Sequence, residues 1–278
     1  MNFGQLLEKI LPIQLEGKAT GGSTTTIADS ALSGTYDDDS FKGGLVFIHS
    51  TTDGAAPQNE FSVISTFVDS TGTFTVDTAL SAAVGAGDFY AVADPQYKKA
   101  SVMRVVNDAL RNFGIISLVD VSLTTAYNQL EYTLPLAIKT FPIDRIEIGN
   151  TADGWGELTD WYVVPASAGS QATLIFNTQP AYDKTTPGNC TLRIWYRDYH
   201  PALDTYDDKI SETIPDKRVI DECRLALHEW MMEKNSDLSD EAMQRLGILQ
   251  RKQAESKVEQ RINVPARRIS KFLNIRDL

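Results

Sequence analysis

Histidine is the natural first candidate for acid–base chemistry in this chain. His49 stands beside Ser50, Thr51 and Asp53, a set that contains a nucleophile, a base and a carboxylate. A nucleophilic triad is defined by geometry and not by adjacency in sequence, and the same residue types are typical of a β-turn. We therefore interpret the cluster as a turn. His228 has no second histidine at the spacing of a zinc-binding helix, and we interpret it as a partly buried helix residue.

Two groups of acidic residues are candidates for a cation site: Asp37–Asp39, and Asp204 with Asp207 and Asp208. Neither has the spacing of a calcium-binding loop, and aspartate is common in solvated turns. The chain has no phosphate-binding glycine loop, dinucleotide-binding motif, C-x-x-C pair or nucleophile elbow. The sequence therefore predicts no catalytic residues, no metal site and no cofactor, although a pair of carboxylates from distant segments stays open.

Aromatic residues are concentrated in one part of the chain: Trp155, Trp161, Tyr162, Trp195 and Tyr196. As a platform they would stack on the faces of sugars. As ordinary strand residues they would fill a β core, and the alternation in the segment 192–196 favours this second interpretation. We expect a protein that is not an enzyme.

Composition and charge narrow the choice of partners. The chain has 278 residues, which allows one to three domains, and 42% apolar residues, which suffices for a sizeable core. Its net charge of −11 and pI near 4.8 predict a surface that repels nucleic acid. Such a surface would also suit a protein beside which DNA passes without being bound. The chain has no run of about 18 apolar residues, so no membrane span is predicted, and the N-terminus lacks the pattern of a secretory signal. Cys190 and Cys223 are too far apart for a metal knuckle, and we expect two buried thiols made in a reducing cytoplasm.

The first β segment is predicted over residues 17–93, after a short amphipathic helix within residues 1–16. Short runs rich in Thr, Val and Phe alternate there with turns rich in Gly and Asp. This spacing predicts a small β-barrel or sandwich. The predicted strands are Gly22–Ile27, Gly44–His49, Glu60–Val68, Thr73–Val76 and Phe89–Val92.

A second β segment is predicted over residues 115–213, as a β-sandwich inserted into a helical core. Turn residues again separate the candidate strands. These strands are Gln129–Leu134, Ile143–Ile148, Trp161–Val164, Ala172–Phe176 and Thr191–Tyr196.

Three helices are predicted to form that core, from residues 94–114 together with 214–262. Asp94 and Pro95 are typical of a helix start, Pro215 of a second and Ser239 of a third. Apolar residues recur at helical spacing in each. They are Val102, Val106, Ala109 and Phe113 in the first helix, Val219, Cys223, Ala226 and Trp230 in the second, and Ala242, Leu246 and Leu249 in the third. The fold class predicted is therefore α+β, with a three-helix core, an N-terminal small β-barrel or sandwich and an inserted β-sandwich.

The C-terminal tail, residues 263–278, departs from the rest in charge. From Arg251 onward there are eight basic and three acidic residues, a local +5 that leaves −16 for the remainder. A disordered terminus is the usual fate of such a segment, but five large apolar residues within ten positions favour a peptide that docks on another protein, as a helix in a groove or as an added strand.

The arrangement resembles the head-to-tail connector (adaptor or neck) proteins of tailed bacteriophages. The segments Thr24–Leu32, Phe41–Ile48, Gly72–Leu80 and Gly87–Tyr90 are similar to a β module of phage virion proteins. The helix Tyr97–Phe113 and the pair within Pro215–Gln260 are similar to the helical core of adaptors. Two β segments make this chain larger than simple helical adaptors.

This resemblance implies a homo-oligomeric ring, commonly twelve-fold, that sits below the portal protein and binds a downstream neck or tail protein. DNA would pass through its lumen without specific binding, and the ring would belong to the virion neck after assembly in the host cytoplasm. The portal contact would be carried by the tail. Its residues are Arg267, Arg268, Ile269, Lys271, Phe272, Leu273 and Ile275, with Arg276 and Leu278 in the same segment.

Two other functions remain as alternatives. A baseplate or tail-fibre component would bind a host glycan through the tryptophan-bearing β segment. A tail-associated hydrolase would cleave cell wall or polysaccharide.

Overall fold

The structure is a computed structural model that describes residues 1–138, 143–150, 154–165, 171–180, 190–235 and 239–259. Within these ranges the chain is a mixed α+β protein with four helices and three antiparallel sheets of seven, four and three strands. The helices are α1 (Phe3–Ile10), α2 (Lys99–Arg111), α3 (Asp216–Asn235) and α4 (Asp240–Glu259).

The chain divides into two compact units. Unit 1 contains Met1–Asn112 and the described residues from Pro201 onward, and unit 2 contains the described part of Phe113–His200. Unit 1 holds all four helices and the strands β1 (Ile13–Lys18), β2 (Gly21–Gly22), β3 (Thr26–Ala28), β4 (Leu45–Ser50), β5 (Phe61–Val68), β6 (Thr73–Val76) and β7 (Phe89–Ala93). Unit 1 is therefore built from two stretches of sequence that are separated by residues 113–200 of unit 2.

The β segment of unit 1 is one open sheet, so the predicted barrel or sandwich is wrong. Its strand order is β1-β7-β4-β5-β6-β3-β2, which places β1 and β2 at opposite edges although only two residues separate them in sequence. Three peptide steps span at most about 11 Å, so the sheet must curl until its edges approach. The edges do not pair, because the amide of Ala19 bonds to Asp88 O (2.8 Å) and that of Thr20 to Ala28 O (2.7 Å) instead.

A buried hydrogen bond fastens the interior of this curled sheet. The hydroxyl of Tyr90 on β7 donates to Asp29 Oδ2, just after β3, at 2.7 Å. Burial and this bond to a carboxylate raise the pKa of Tyr90 well above its ordinary value. Gly17 leaves the space that the bond needs, since a Cβ there would lie 2.4 Å from the Tyr90 hydroxyl oxygen. The apolar core around the bond contains Ile27, Phe41, Val46, Ile64, Phe67, Phe74 and Val92.

Helix α1 covers the other side of the sheet. Its apolar residues Phe3, Leu6, Leu7 and Ile10 are buried, and the ring of Phe3 packs edge-on against Phe61 of β5 at 5.8 Å. Asn2 and Gln5 form a reciprocal capping box at its N-terminus. The next amides bond to the chain after unit 2: Phe3 N donates to Asp208 O (2.9 Å) and Gly4 N to Tyr206 O (3.0 Å).

The predicted three-helix core is also wrong, because α1 is a fourth helix of the same assembly. α3 packs against α1, α2 and α4, so it is the central helix of unit 1. α3 follows Pro215 as predicted. α2 begins only at Lys99, because the Asp94 carboxylate accepts the amide of Gln96 (2.8 Å) and so caps a turn ahead of the helix.

Unit 2 contains a four-stranded sheet, ordered β11-β10-β14-β8, and a three-stranded sheet, ordered β12-β13-β9. Both contribute to one apolar cluster that includes Tyr132, Leu174 and Phe176 from the smaller sheet and Ile146, Leu192 and Ile194 from the larger. The strands are β8 (Ile116–Asp120), β9 (Glu131–Thr133), β10 (Ile143–Asn150), β11 (Gly154–Leu158), β12 (Trp161–Val164), β13 (Thr173–Phe176) and β14 (Thr191–Asp198).

Removing the Tyr90 hydroxyl should destabilise unit 1. Tyr90→Phe leaves a buried carboxylate oxygen of Asp29 without its donor, which costs about 1–3 kcal/mol. Urea unfolding followed by far-UV circular dichroism would measure this loss. The matched control is Tyr36→Phe at an exposed ring, where a change below about 0.5 kcal/mol is expected. Equal losses in the two variants would contradict the proposed role of the bond.

The loop that receives α1 should make stability depend on pH. Burial alone would raise the pKa of Asp208, but the amides of Asp204 (2.5 Å) and Thr205 (2.8 Å) donate to its carboxylate and lower the pKa below the ordinary value. A lowered folded pKa means that the contribution is complete above the unfolded pKa, about 4, and is lost as pH falls through the folded pKa. Asp208→Asn should therefore be less stable than the wild type at pH 7, and the gap should close below about pH 4. A gap independent of pH would exclude this linkage.

Candidate functional site

The nine residues predicted to bind the portal lie outside the described residues, which end at Glu259. They are Arg267, Arg268, Ile269, Lys271, Phe272, Leu273, Ile275, Arg276 and Leu278. The assignment of the portal contact to them stays a prediction.

The residues around His49 form no nucleophilic relay. The Asp53 carboxylate accepts the amide of Ala55 (2.9 Å), and this bond, together with the side chain of Thr51, lowers the pKa of Asp53. The Nδ1 atom of His49 instead contacts the carboxylate of Glu8 on α1. These two side chains line a surface pocket of about 360 Å³ with Lys18 and Phe89. Asp53 therefore caps a turn, as the sequence indicates.

The acidic groups are occupied by backbone amides. Asp38 accepts the amide of Asp69 (2.8 Å), and Asp39 accepts that of Phe67 (3.2 Å) while pairing with Lys42 (3.0 Å). Asp208 accepts amides of its own loop, as described above. Within the described residues, no group of three or more His, Cys, Asp or Glu side chains is arranged to hold a metal ion.

The remaining histidine and cysteine candidates are structural. His228 on α3 donates from Nε2 to Ala242 O (3.1 Å) and so links α3 to the first turn of α4. Cys223 is fully buried, and burial raises the pKa of its thiol, which makes it unreactive at neutral pH. Cys190 is half-buried.

Two tryptophans and two arginines form a cluster on the outward face of the four-stranded sheet in unit 2. We call it the Trp–Arg–Glu cluster: Arg145, Glu147, Trp155, Arg193 and Trp195. The guanidinium of Arg193 lies over the ring of Trp155, 3.7 Å from its centroid, and that of Arg145 over Trp195 at 4.3 Å. Three of these side chains meet at Glu147, which accepts Trp195 Nε1 (2.9 Å) and pairs with Arg193 and Arg145, each at 3.4 Å.

Strand register assembles this cluster. Arg145 is opposite Trp195, and Glu147 is opposite Arg193, across the antiparallel pair of β10 and β14. Because strand residues alternate between faces, these side chains lie on the face of the sheet that does not bear the core residues Ile146, Ile148, Leu192 and Ile194. The expectation that Trp195 lies in the core is wrong, because the alternation in segment 192–196 places Arg193 and Trp195 on the face away from Leu192 and Ile194. Arg145, Glu147 and Arg193 were not predicted as site residues.

The geometry bears on the sugar-stacking interpretation of the tryptophans. One face of the Trp155 ring is already covered by Arg193, so a sugar stacking on that face would have to displace a guanidinium. Trp161 packs against the apolar cluster of unit 2 and donates to Leu158 O (2.9 Å). A fixed surface of Trp and Arg side chains is typical of the energetic centres of protein–protein contacts.

Helix α4 presents a second uncovered surface. It packs along α3 through Ala242, Leu246 and Leu249, whereas Met243, Ile248 and Val258 are 50%, 57% and 78% exposed. Near its C-terminal end, Lys257 pairs with Glu222 of α3 (3.5 Å). A helix of 20 residues is thus held by one narrow side.

A groove of about 350 Å³ lies among α1, α3 and α4 within unit 1. Its apolar lining includes Leu11, Leu227 and Leu249, and the cationic side chains of Lys9, Arg224 and Arg245 surround it. We call it the basic groove. No sequence motif indicates this groove, because its residues come from four separate segments of the chain.

No protein-family model matches this chain, and no curated protein matches it. None of the helices in the described ranges is long and apolar enough to cross a membrane.

Neutralising Glu147 should weaken unit 2. Glu147→Gln removes the charge that holds two guanidinium groups and the Trp195 indole, and a loss of about 1–3 kcal/mol is expected. Chemical unfolding followed by tryptophan fluorescence would measure it. The control is Glu131→Gln at an exposed position of β9, where little change is expected. A variant as stable as this control would contradict the central role of Glu147.

Proposed function

We propose that this chain is a structural virion protein: a ring-forming head-to-tail adaptor that docks on the portal, links it to the tail and forms part of the DNA channel. The observation that carries the proposal is α4, whose exposed side bears large apolar residues that no described part of the chain covers. A function based on assembly accounts for such a surface.

The energetics of α4 favour a protein partner. Fully burying an aliphatic side chain contributes about 1.5–3 kcal/mol, so covering Met243, Ile248 and Val258 would offset part of the entropy lost on association. The exposed residues are spread along the helix rather than gathered in one pocket. A neighbouring protein with an extended surface fits this distribution better than a small ligand does.

The charge of the chain supports the channel. A net charge of −11 gives each copy a field that repels phosphates, and a ring of copies would multiply it. DNA in such a lumen would be neither held nor read, because affinity for the duplex comes largely from cations that replace its counterions.

The Trp–Arg–Glu cluster supplies a further contact surface, on unit 2. Its aromatic and guanidinium groups are held in place before any partner arrives, which lowers the entropy lost on binding. We assign this face to the downstream neck or tail protein, and the tail of residues 263–278 to the portal.

Truncation after Asn263 tests the portal contact. The shortened chain should fold normally, by circular dichroism and thermal melting, but bind purified cognate portal at least about tenfold more weakly, because burying Phe272 alone contributes about 1.5–3 kcal/mol. A chain whose residues 265–278 are scrambled keeps the tail's charge and serves as control. It should bind as poorly as the truncated chain.

Electron microscopy of the full chain with portal would test the function directly. The expected image is a ring with a central channel, seated on the portal. Undiminished portal binding by the truncated chain would remove the tail from the contact, and no binding by the full chain would overturn the adaptor function.

A further inference from the structure

The basic groove brings together three cations, Lys9, Arg224 and Arg245, that have no carboxylate partner among the described residues. With the described residues, the side chains of Lys9 and Arg245 form no hydrogen bond or ion pair, and the Arg224 guanidinium donates only to the backbone carbonyl of Lys9. Elsewhere in unit 1, Lys42 and Lys257 each pair with a carboxylate. Three uncompensated cations around one groove form a site for an anionic group.

The lining of the groove adds a second requirement. Leu11 and Leu227 are buried beneath it, and Leu249 of α4 forms part of its wall. A volume of about 350 Å³ is of the size that takes a few side chains rather than a single ion. The groove therefore suits a peptide segment that combines carboxylates with an apolar side chain.

We infer that the basic groove receives an acidic segment of a second copy of this chain, and so forms a contact between neighbouring subunits. This inference rests on the proposed ring. Setting aside Lys9, Arg224 and Arg245, the rest of the chain carries −14, so every copy brings a large excess of carboxylates to its neighbour.

The charges also determine the type of symmetry. A contact that used the same patch on both subunits would bring two sets of uncompensated cations together and would be repulsive. A contact between the groove of one subunit and an acidic segment of the next is heterologous, and heterologous contacts generate closed rings or open filaments. Ile248, one helical turn beyond Arg245, is 57% exposed and extends the apolar surface past the groove.

Charge reversal at Arg245 tests the contact, since this side chain forms no hydrogen bond or ion pair with any residue that the structure describes. Arg245→Glu should raise the Kd of self-association about tenfold or more, measured by analytical ultracentrifugation of the full chain over a range of concentrations. Arg104→Glu, at an exposed position of α2, makes the same change in net charge and should leave self-association unchanged. High salt should weaken the wild-type assembly, because the Debye length falls from about 10 Å at 0.1 M to about 3 Å at 1 M.

Zero-length carbodiimide cross-linking would identify the acidic segment. Wild-type protein mixed from two isotopic labels should yield cross-links between Lys9 of one copy and an Asp or Glu of another. Lys9→Arg keeps the positive charge but removes the reactive amine, so it should abolish these cross-links without dissociating the assembly.

The outcomes separate this inference from the function. Assembly that Arg245→Glu leaves intact overturns the groove contact, while the adaptor function still rests on portal binding. Groove-dependent assembly without any portal binding overturns the adaptor function and leaves the contact standing. Assembly that requires added duplex DNA, and is lost in Arg245→Glu, would show that the groove binds phosphates and would overturn the inference.

Discussion

The architecture of unit 1 depends on how the chain returns after the excursion through unit 2. The side chain of Asn107, on α2, meets the returning backbone in a two-bond pair: Nδ2 donates to Leu203 O (3.0 Å), and Oδ1 accepts from Leu203 N (2.8 Å). This pair fixes the start of the loop whose carbonyl groups of Tyr206 and Asp208 bind the first amides of α1. Through α1 the constraint extends to Lys9 and the basic groove. The groove thus forms because segments far apart in sequence pack together, and not because of any local motif.

Close packing fixes the position of α1 against the parts of unit 1 that it contacts. A Cβ at Gly4 would lie 2.3 Å from the carbonyl oxygen of Asn59, so the backbone of the helix lies directly against the turn that precedes β5. Arg224 then bonds to the carbonyl of Lys9 and ties α1 to α3 near the other end of the helix. The N-terminal ten residues therefore join the sheet, the return loop and the central helix.

The elements that were predicted correctly from the sequence are those that depend on residues close together in the chain. The periodicity of Val102, Val106 and Ala109 predicts the buried face of α2, and Thr73–Val76 is predicted to the residue, because both depend on neighbours in sequence. The open sheet could not be predicted, since the connection between its two edge strands is fixed by a long-range bond from the amide of Ala19 to the carbonyl group of Asp88. The strands β1, β8 and β11 were missed, and so was the Trp–Arg–Glu cluster, which exists only in one cross-strand register. The docking of α1 depends on a loop some 200 positions away.

Two basic features of the chain must have different partners. The segment 265–278 carries four basic and one acidic side chain, and the basic groove is surrounded by three cations. Like charges prevent the tail of any copy from being the natural occupant of the groove. The acidic body of a neighbouring subunit suits the groove because each copy carries carboxylates in excess. That leaves the tail free to bind a protein of another kind, which is what the proposed adaptor function requires.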